Sequence, residues 1–191
     1  MMRIITGRAR GVRLDTLAGE RTRPTAERTK EAVFSTLQFR LRDTRVLDLF
    51  AGSGQLGLEA ISRGAREAVL IDMDHAACAA IKKNMETSRL GDQCRLIPRD
   101  YRMALDALAK EGQKFDVVFI DPPYRMENTG EMCAALYDKA LLNEDFMIVV
   151  EHRRGMPPLL DERFEAYDLR RYGDTEITFV RGVRQEETEN A

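Results

Sequence analysis

Residues Val46-Leu47-Asp48-Leu49-Phe50-Ala51-Gly52-Ser53-Gly54 constrain this chain more than any other stretch. Four apolar residues among the five from Val46 to Phe50 read as a strand buried on both faces, as central strands of a parallel sheet are. Ala51-Gly52-Ser53-Gly54 makes a small-residue turn, and Leu56, Leu58, Ala60 and Ile61 then begin a helical pattern. Strand, glycine turn and helix together present a helix N-terminus to a ligand. Glycine suits the turn because a Cβ would hold a ligand off the backbone amides. Gly52 to Gly57 fits the letters G-x-G-x-x-G, a weak signal that a plain strand–helix turn also gives. The preceding Asp48 and the acids downstream point away from a dinucleotide and toward another adenosine-bearing ligand.

From Arg45 onward strand and helix patterns alternate. Strands are expected near 45–50, 67–72, 93–98, 115–120 and 145–151, and helices near 54–63, 74–89, 101–111 and 128–141. That rhythm predicts an α/β fold with a mostly parallel sheet and helices on both faces. After Pro157-Pro158, residues 163–172 and 175–182 read as an antiparallel hairpin around Gly173-Asp174, which closes the sheet edge and brings it to seven strands. Upstream, residues 3–14 read as two short strands around a Gly/Arg-rich turn, followed by a polar linker over 15–24. Thr25 is expected to cap a helix whose apolar face is Ala32, Val33, Phe34 and Leu37. The expected organisation is a basic hairpin and linker over 1–24, a main domain over 25–183, and a frayed acidic tail over 184–191.

A chain of 191 residues can bury one substantial core, and 43% hydrophobic with 32% charged residues is ordinary globular composition. No apolar run approaches the roughly 20 residues that span a bilayer, and the first residues lack an apolar signal core; the expected location is the cytoplasm. Cys78, Cys94 and Cys133 are odd in number and widely spaced, so they read as buried thiols, and His75 and His152 do not suggest a metal site. The net charge of −2 hides an asymmetry: residues 1–45 carry eleven Arg/Lys against five Asp/Glu. A basic start on an acidic body suggests one face that meets a polyanion. Arg3, Arg8, Arg10 and Arg13 supply the guanidiniums, whose planar fork matches phosphate.

Acids close successive predicted strands, where open α/β sheets bind ligands. Asp48 belongs to the first. Asp72 ends Val69-Leu70-Ile71, about twenty residues beyond the glycine turn, where a carboxylate can accept ribose hydroxyls. Asp100 is placed to accept from an adenine amino group, with Tyr101 as a neighbouring flat surface. The most specific position follows Phe115-Asp116-Val117-Val118-Phe119-Ile120: the run Asp121-Pro122-Pro123-Tyr124. Two prolines fix φ near −65° and donate no hydrogen bond, so the turn is stiff and presents acceptors. With the Asp121 carboxylate, it offers partners for both hydrogens of an –NH2 group, and Tyr124 can stack on the ring that bears the amine. No cysteine lies in this loop, so it offers no thiolate nucleophile.

These motifs resemble class I S-adenosylmethionine-dependent methyltransferases that modify exocyclic amines of nucleic-acid bases. More closely, residues 3–182 resemble the RsmD family of bacterial 16S ribosomal RNA guanine-N2 methyltransferases. The resemblance is carried by Arg3-Ile-Ile-x-Gly-x-x-Arg-Gly, Thr22-Arg-Pro-Thr-x-x-Arg-x-Lys-Glu-Ala-Val-Phe, the Val46–Ala60 segment, Phe115–Tyr124 and Tyr172-Gly-Asp-Thr. Tyr124 stands where that family commonly has Phe, and either ring stacks on a base. The resemblance implies a Rossmann-like fold that uses S-adenosylmethionine without a metal and acts as a monomer on ribosomal RNA within a small-subunit particle. It implies that Asp48, Phe50, Ala51, Gly52, Ser53 and Gly54 support the methionine part of the cofactor. Asp72 and Met73 would face its ribose, and Asp100 and Tyr101 its adenine. Asp121, Pro122, Pro123 and Tyr124 would hold the target base, Arg23, Pro24 and Thr25 would close over the site, and the N-terminal arginines would grip RNA. Two other readings fit the same residues: adenine-N6 methylation of DNA or RNA, and a non-catalytic nucleic-acid-binding module.

Overall fold

A computed structural model describes residues 2–17, 24–123, 125, 126 and 128–183, the side chains of residues 24–27 excepted. Arg23, the Thr25 side chain, Tyr124 and the 184–191 tail lie outside the described residues.

In chain order the elements are β1 (Met2–Arg3), β2 (Arg13–Leu14), α1 (Pro24–Thr36), β3 (Arg45–Asp48), α2 (Gln55–Ser62), β4 (Glu67–Ile71), α3 (His75–Ser88), β5 (Cys94–Ile97), α4 (Tyr101–Lys110), β6 (Phe115–Ile120), α5 (Thr129–Asp138), β7 (Leu142–Arg153), β8 (Phe164–Tyr172) and β9 (Thr175–Gly182). Seven strands form one sheet in the order β5-β4-β3-β6-β7-β9-β8, and β1 pairs β2 in a separate antiparallel ribbon. The first five are parallel; β9 runs antiparallel between β7 and β8. The C-terminal hairpin therefore inserts its second strand and leaves β8 at the edge.

Strand residues alternate between two cores. Val46, Leu70, Phe119 and Val149 face Phe34 and Leu37 of α1, Leu58 and Ile61 of α2, and Ile81 of α3. Leu47, Val69, Val118 and Ile148 face Leu105 and Leu108 of α4 and Cys133 and Leu136 of α5. Central strands are apolar throughout because both faces are covered. Ile4, Ala9 and Leu14 join the first core, so the N-terminal hairpin is packed into the body.

Three expectations shift. The helix expected after Thr25 begins at Pro24, which puts Thr25 in its first turn instead of the cap; proline is at home in that first turn because its missing N–H would be unpartnered anyway. The strand expected over 145–151 runs from Leu142 to Arg153, since β9 pairs it as far as Arg153 even where the side chains are polar. The expected linker is tied down at Asp15, whose N–H and carbonyl bond the Asn84 side chain at 2.8 and 2.9 Å.

Candidate active site

Register places the acids. Asp48 pairs with Leu70 on one side and Phe119 on the other, and Phe119 pairs with Val149, so one row crosses four parallel strands. Two residues further along each chain the same face carries Asp72, Asp121 and Glu151. All three line a cavity of about 960 Å³ at the carboxyl end of the sheet. Thr29, Lys30 and Val33 of α1, the Phe50–Gly52 turn and the 172–175 hairpin turn complete its wall.

Asp48 lies one row deeper, outside the cavity lining. It is 1% exposed, and neither carboxylate oxygen has a hydrogen-bond partner among the described residues. Burial first, and then the nearby Asp121 charge, push its pKa up to about 8; Asp72 adds to the rise. The amides of Gly57 and Phe50 pull the other way without closing a hydrogen bond. A buried carboxylate without a donor is costly, so a cation above it would be strongly favoured.

The glycine turn is built for close approach. Gly54 adopts φ 80° at the start of α2, the left-handed region where a side chain is disfavoured. At Gly57 a Cβ would meet Leu70 Cδ2 at 2.1 Å, so helix and strand touch only because this residue has none. Ala51 and Gly52 face the cavity. Ser53 and Gly54 are buried behind them, with the Ser53 carbonyl accepting from Asn84 Nδ2 at 2.8 Å. Asp72 is fixed by two amides, Gly52 N–H on one oxygen and Asp74 N–H on the other, each at 2.9 Å. Asp100 caps α4, accepting from Arg102 N–H at 2.9 Å. Tyr101 is buried against Phe50, ring centroids 5.2 Å apart, and burial raises its pKa. Met73 is exposed at the cavity rim.

At the other end, Asp121 is half-buried, Pro122 buried and Pro123 exposed, and all three line the cavity. The two proline carbonyls are not equivalent. Pro123 accepts from Met126 N–H at 2.8 Å to close the turn, a bond that Pro122 does not make. Val149 and Glu151 of β7 stand beside them.

The basic hairpin docks on α2. Glu59, fully buried, accepts from the amides of Ile5 and Thr6 at 2.7 and 3.0 Å and from Arg63 Nε at 2.7 Å, with Lys30 Nζ at 3.5 Å. Ser62 Oγ bonds Thr6 O and Ala9 N, and a Cβ on Gly7 would strike the Ser62 carbonyl at 1.8 Å. Arg3, Arg8, Arg10 and Arg13 are exposed, and Arg3 sits directly opposite Arg13 in the ribbon. Like charges in that register repel, which an anion would relieve. Arg8 also donates to Gln93 Oε1.

Sequence reasoning missed Glu151, although it closes the apolar run Ile148-Val149-Val150 just as Asp72 and Asp121 close theirs. It also missed Glu59 and Asn84, which sit on helix faces turned to the interior. Among the described residues no helix is long and apolar enough to cross a membrane, and no His/Cys/Asp/Glu group could hold a metal.

The strand order, the glycine turn after β3 and the acidic diproline corner after β6 define the Rossmann-like fold of class I methyltransferases. Residues 2–181 match the family described as Conserved hypothetical protein 95, the RsmD family, and the chain belongs to it. The chain is 38% identical to ribosomal RNA small subunit methyltransferase D of Escherichia coli K12, over 82% of its own length and 78% of that protein's. It is 34% identical to the Haemophilus influenzae protein of that name, covering 85% and 84%. A solved hypothetical protein from Thermus thermophilus superposes with a TM-score of 0.80 at 32% identity, over 94% of this chain and 98% of that one.

Proposed function

We propose that this protein transfers a methyl group from S-adenosylmethionine to the exocyclic N2 amine of a guanine in 16S ribosomal RNA, on a small-subunit particle. One observation carries the reading: the Asp121-Pro122 corner and the glycine turn with Asp72 and Asp100 open into a single cavity. Its size suits two aromatic ligand parts side by side.

The residues fit the cofactor. Its adenosine calls for a ribose acceptor and an amino-group acceptor, the roles we assign to Asp72 and Asp100. Its methionine end is cationic, and the buried Asp48 carboxylate, without a hydrogen-bond donor, lies beneath the turn at Ala51 and Gly52. Phe50, Tyr101 and Met73 supply apolar wall. Arg23 and Thr25 are proposed to close the site from the start of α1. When bound, S-adenosylmethionine supplies an electrophilic methyl group on a sulfonium.

The protein's task is to make a poor nucleophile available. A guanine N2 lone pair is delocalised into the ring. In this proposal Asp121 and the Pro122 carbonyl accept the two amine hydrogens, Tyr124 stacks on the base, and the lone pair is turned out of conjugation. Such alignment can lower a barrier by roughly 7–11 kcal/mol. The acceptors engage more strongly as positive charge grows on nitrogen, which favours the transition state over the ground state. Pro123 serves by stiffening the corner. Arg3, Arg8, Arg10 and Arg13, in the basic segment 1–24, are proposed to hold RNA phosphates while the target base leaves its stack.

Asp121→Ala tests the assignment. It should retain S-adenosylhomocysteine binding by calorimetry, while transfer of a tritiated methyl to small subunits falls by at least roughly 1000-fold. Turnover within tenfold of the parent would refute the role. Nucleoside mass spectrometry of the product must find N2-methylguanosine.

A further inference from the structure

We infer that Glu151 determines base identity by accepting the guanine N1–H beside the amine held at Asp121; this rests on the guanine-N2 reading above. Phe119 and Val149 are register partners on adjacent parallel strands, and Asp121 and Glu151 each lie two residues beyond them. The two carboxylates therefore emerge from neighbouring strands onto the same face of the sheet, and both line the one cavity. Neighbouring strands are about 5 Å apart, close enough for two side chains that lean toward each other to reach the same base edge.

The edge chemistry decides which purine this pair fits. Guanine presents N1–H next to N2–H2, a run of donors, which two carboxylates and a carbonyl can accept together. Adenine presents an acceptor at N1 next to its N6 amine, so a carboxylate there would face a lone pair, with neither group satisfied. A site built to bond a donor rejects the analogue that lacks it far more strongly than a shape-based pocket does. Glu151 thus supplies a repulsive term against adenine as well as an attractive one for guanine.

The test uses a base analogue that separates the two purine features. 2-Aminopurine keeps the N2 amine but has an acceptor at N1. The wild-type protein first fixes the target nucleotide on small subunits, and RNA is then made with guanine or 2-aminopurine at that position. Glu151→Gln replaces an obligate acceptor by a group that can donate to N1. It should lower kcat/KM for guanine roughly 10- to 100-fold and raise the 2-aminopurine-to-guanine ratio by a similar or larger factor. S-adenosylhomocysteine affinity should stay within twofold, which also reports that the variant folds. Glu151→Ala removes the acceptor without adding a donor, so the guanine preference should shrink without a gain on 2-aminopurine. An unchanged ratio in either folded variant overturns the inference while leaving the methyltransferase reading intact. A wild-type product of N6-methyladenosine, with no N2-methylguanosine, overturns that reading and the inference with it.

Discussion

Asp48 and Glu59 are both carboxylates with almost no exposure, on consecutive elements of one βα unit, yet their surroundings are opposite. Glu59 accepts from two backbone amides and the Arg63 guanidinium, with Lys30 close by. Asp48 has no hydrogen-bond donor among the described residues, and burial and Asp121 push its pKa up to about 8. Burial alone therefore does not tell what an acid is for; the donor count does. A saturated carboxylate holds the protein's own chain, here the N-terminal hairpin against α2. A carboxylate left without donors, under a cavity, is a place where the protein is incomplete without a ligand.

The comparison predicts opposite signs on mutation, and the larger effect belongs to Glu59. Glu59→Ala leaves the Ile5 and Thr6 amides and Arg63 Nε without this acceptor and removes the carboxylate that faces the buried Lys30. Removing one partner from such a buried network costs about 3–5 kcal/mol. For a chain of this size that is a fall in melting temperature of roughly 10 °C or more. A loss under 1 kcal/mol by urea unfolding would mean that the hairpin does not depend on this anchor.

Asp48→Asn should do the reverse in the ligand-free protein. The folded pKa of about 8 lies above the ordinary carboxylate value of 3.8, so the folded state holds a proton that the unfolded chain has released. The native state is then favoured fully below about pH 4, and that contribution disappears as pH rises to 8. Asparagine stays neutral, so its advantage should grow across this window and level off above it. The carboxamide brings unpaired N–H groups of its own, which take back about 1–3 kcal/mol. A net gain on the order of 2 kcal/mol at pH 8 remains, measured as urea midpoints at pH 5 and pH 8. On the proposed role, affinity for S-adenosylmethionine should drop at least roughly tenfold, because asparagine cannot release a proton to meet the ligand's cationic end as Asp48 can. Equal stability gains at both pH values would sink the reading of Asp48 as a ligand-directed acid.

How much of this was readable in the chain follows the same division. The stretch from Val46 to Gly54 and the run from Phe115 to Pro123 announce themselves, because a buried strand must be apolar and what breaks its pattern stands out. Asp48, Asp72 and Asp121 are visible for that reason, and Glu151 is visible in principle, as an acid that closes an apolar strand. Glu59 is invisible: within Gln55–Ser62 it reads as a solvent-facing charge, since its partners Ile5, Thr6 and Lys30 come from elsewhere in the sequence. Asn84 is hidden likewise, on α3, with partners at Asp15 and Ser53. The length of β7 also escapes local pattern, because its polar end is held by pairing with β9.

The division between partnered and unpartnered charge extends to the cations, where the smallest effect on stability is expected. Arg45 pairs with Glu67, Arg63 with Glu59, and Arg163 with Asp138 and Asp161. Among the described residues no carboxylate pairs with Arg3, Arg10 or Arg13. Changing Arg8, Arg10 and Arg13 together to glutamine should alter stability by no more than about 0.5 kcal/mol, as for other exposed positions. RNA binding should change instead. Each lost phosphate contact reduces the slope of log K against log salt by about 1, so the triple variant should flatten that slope by roughly 3 when filter binding is followed from low to high salt. Weaker binding with an unaltered slope would mean that these guanidiniums act through the hairpin's shape, and would move them to the structural side of the comparison.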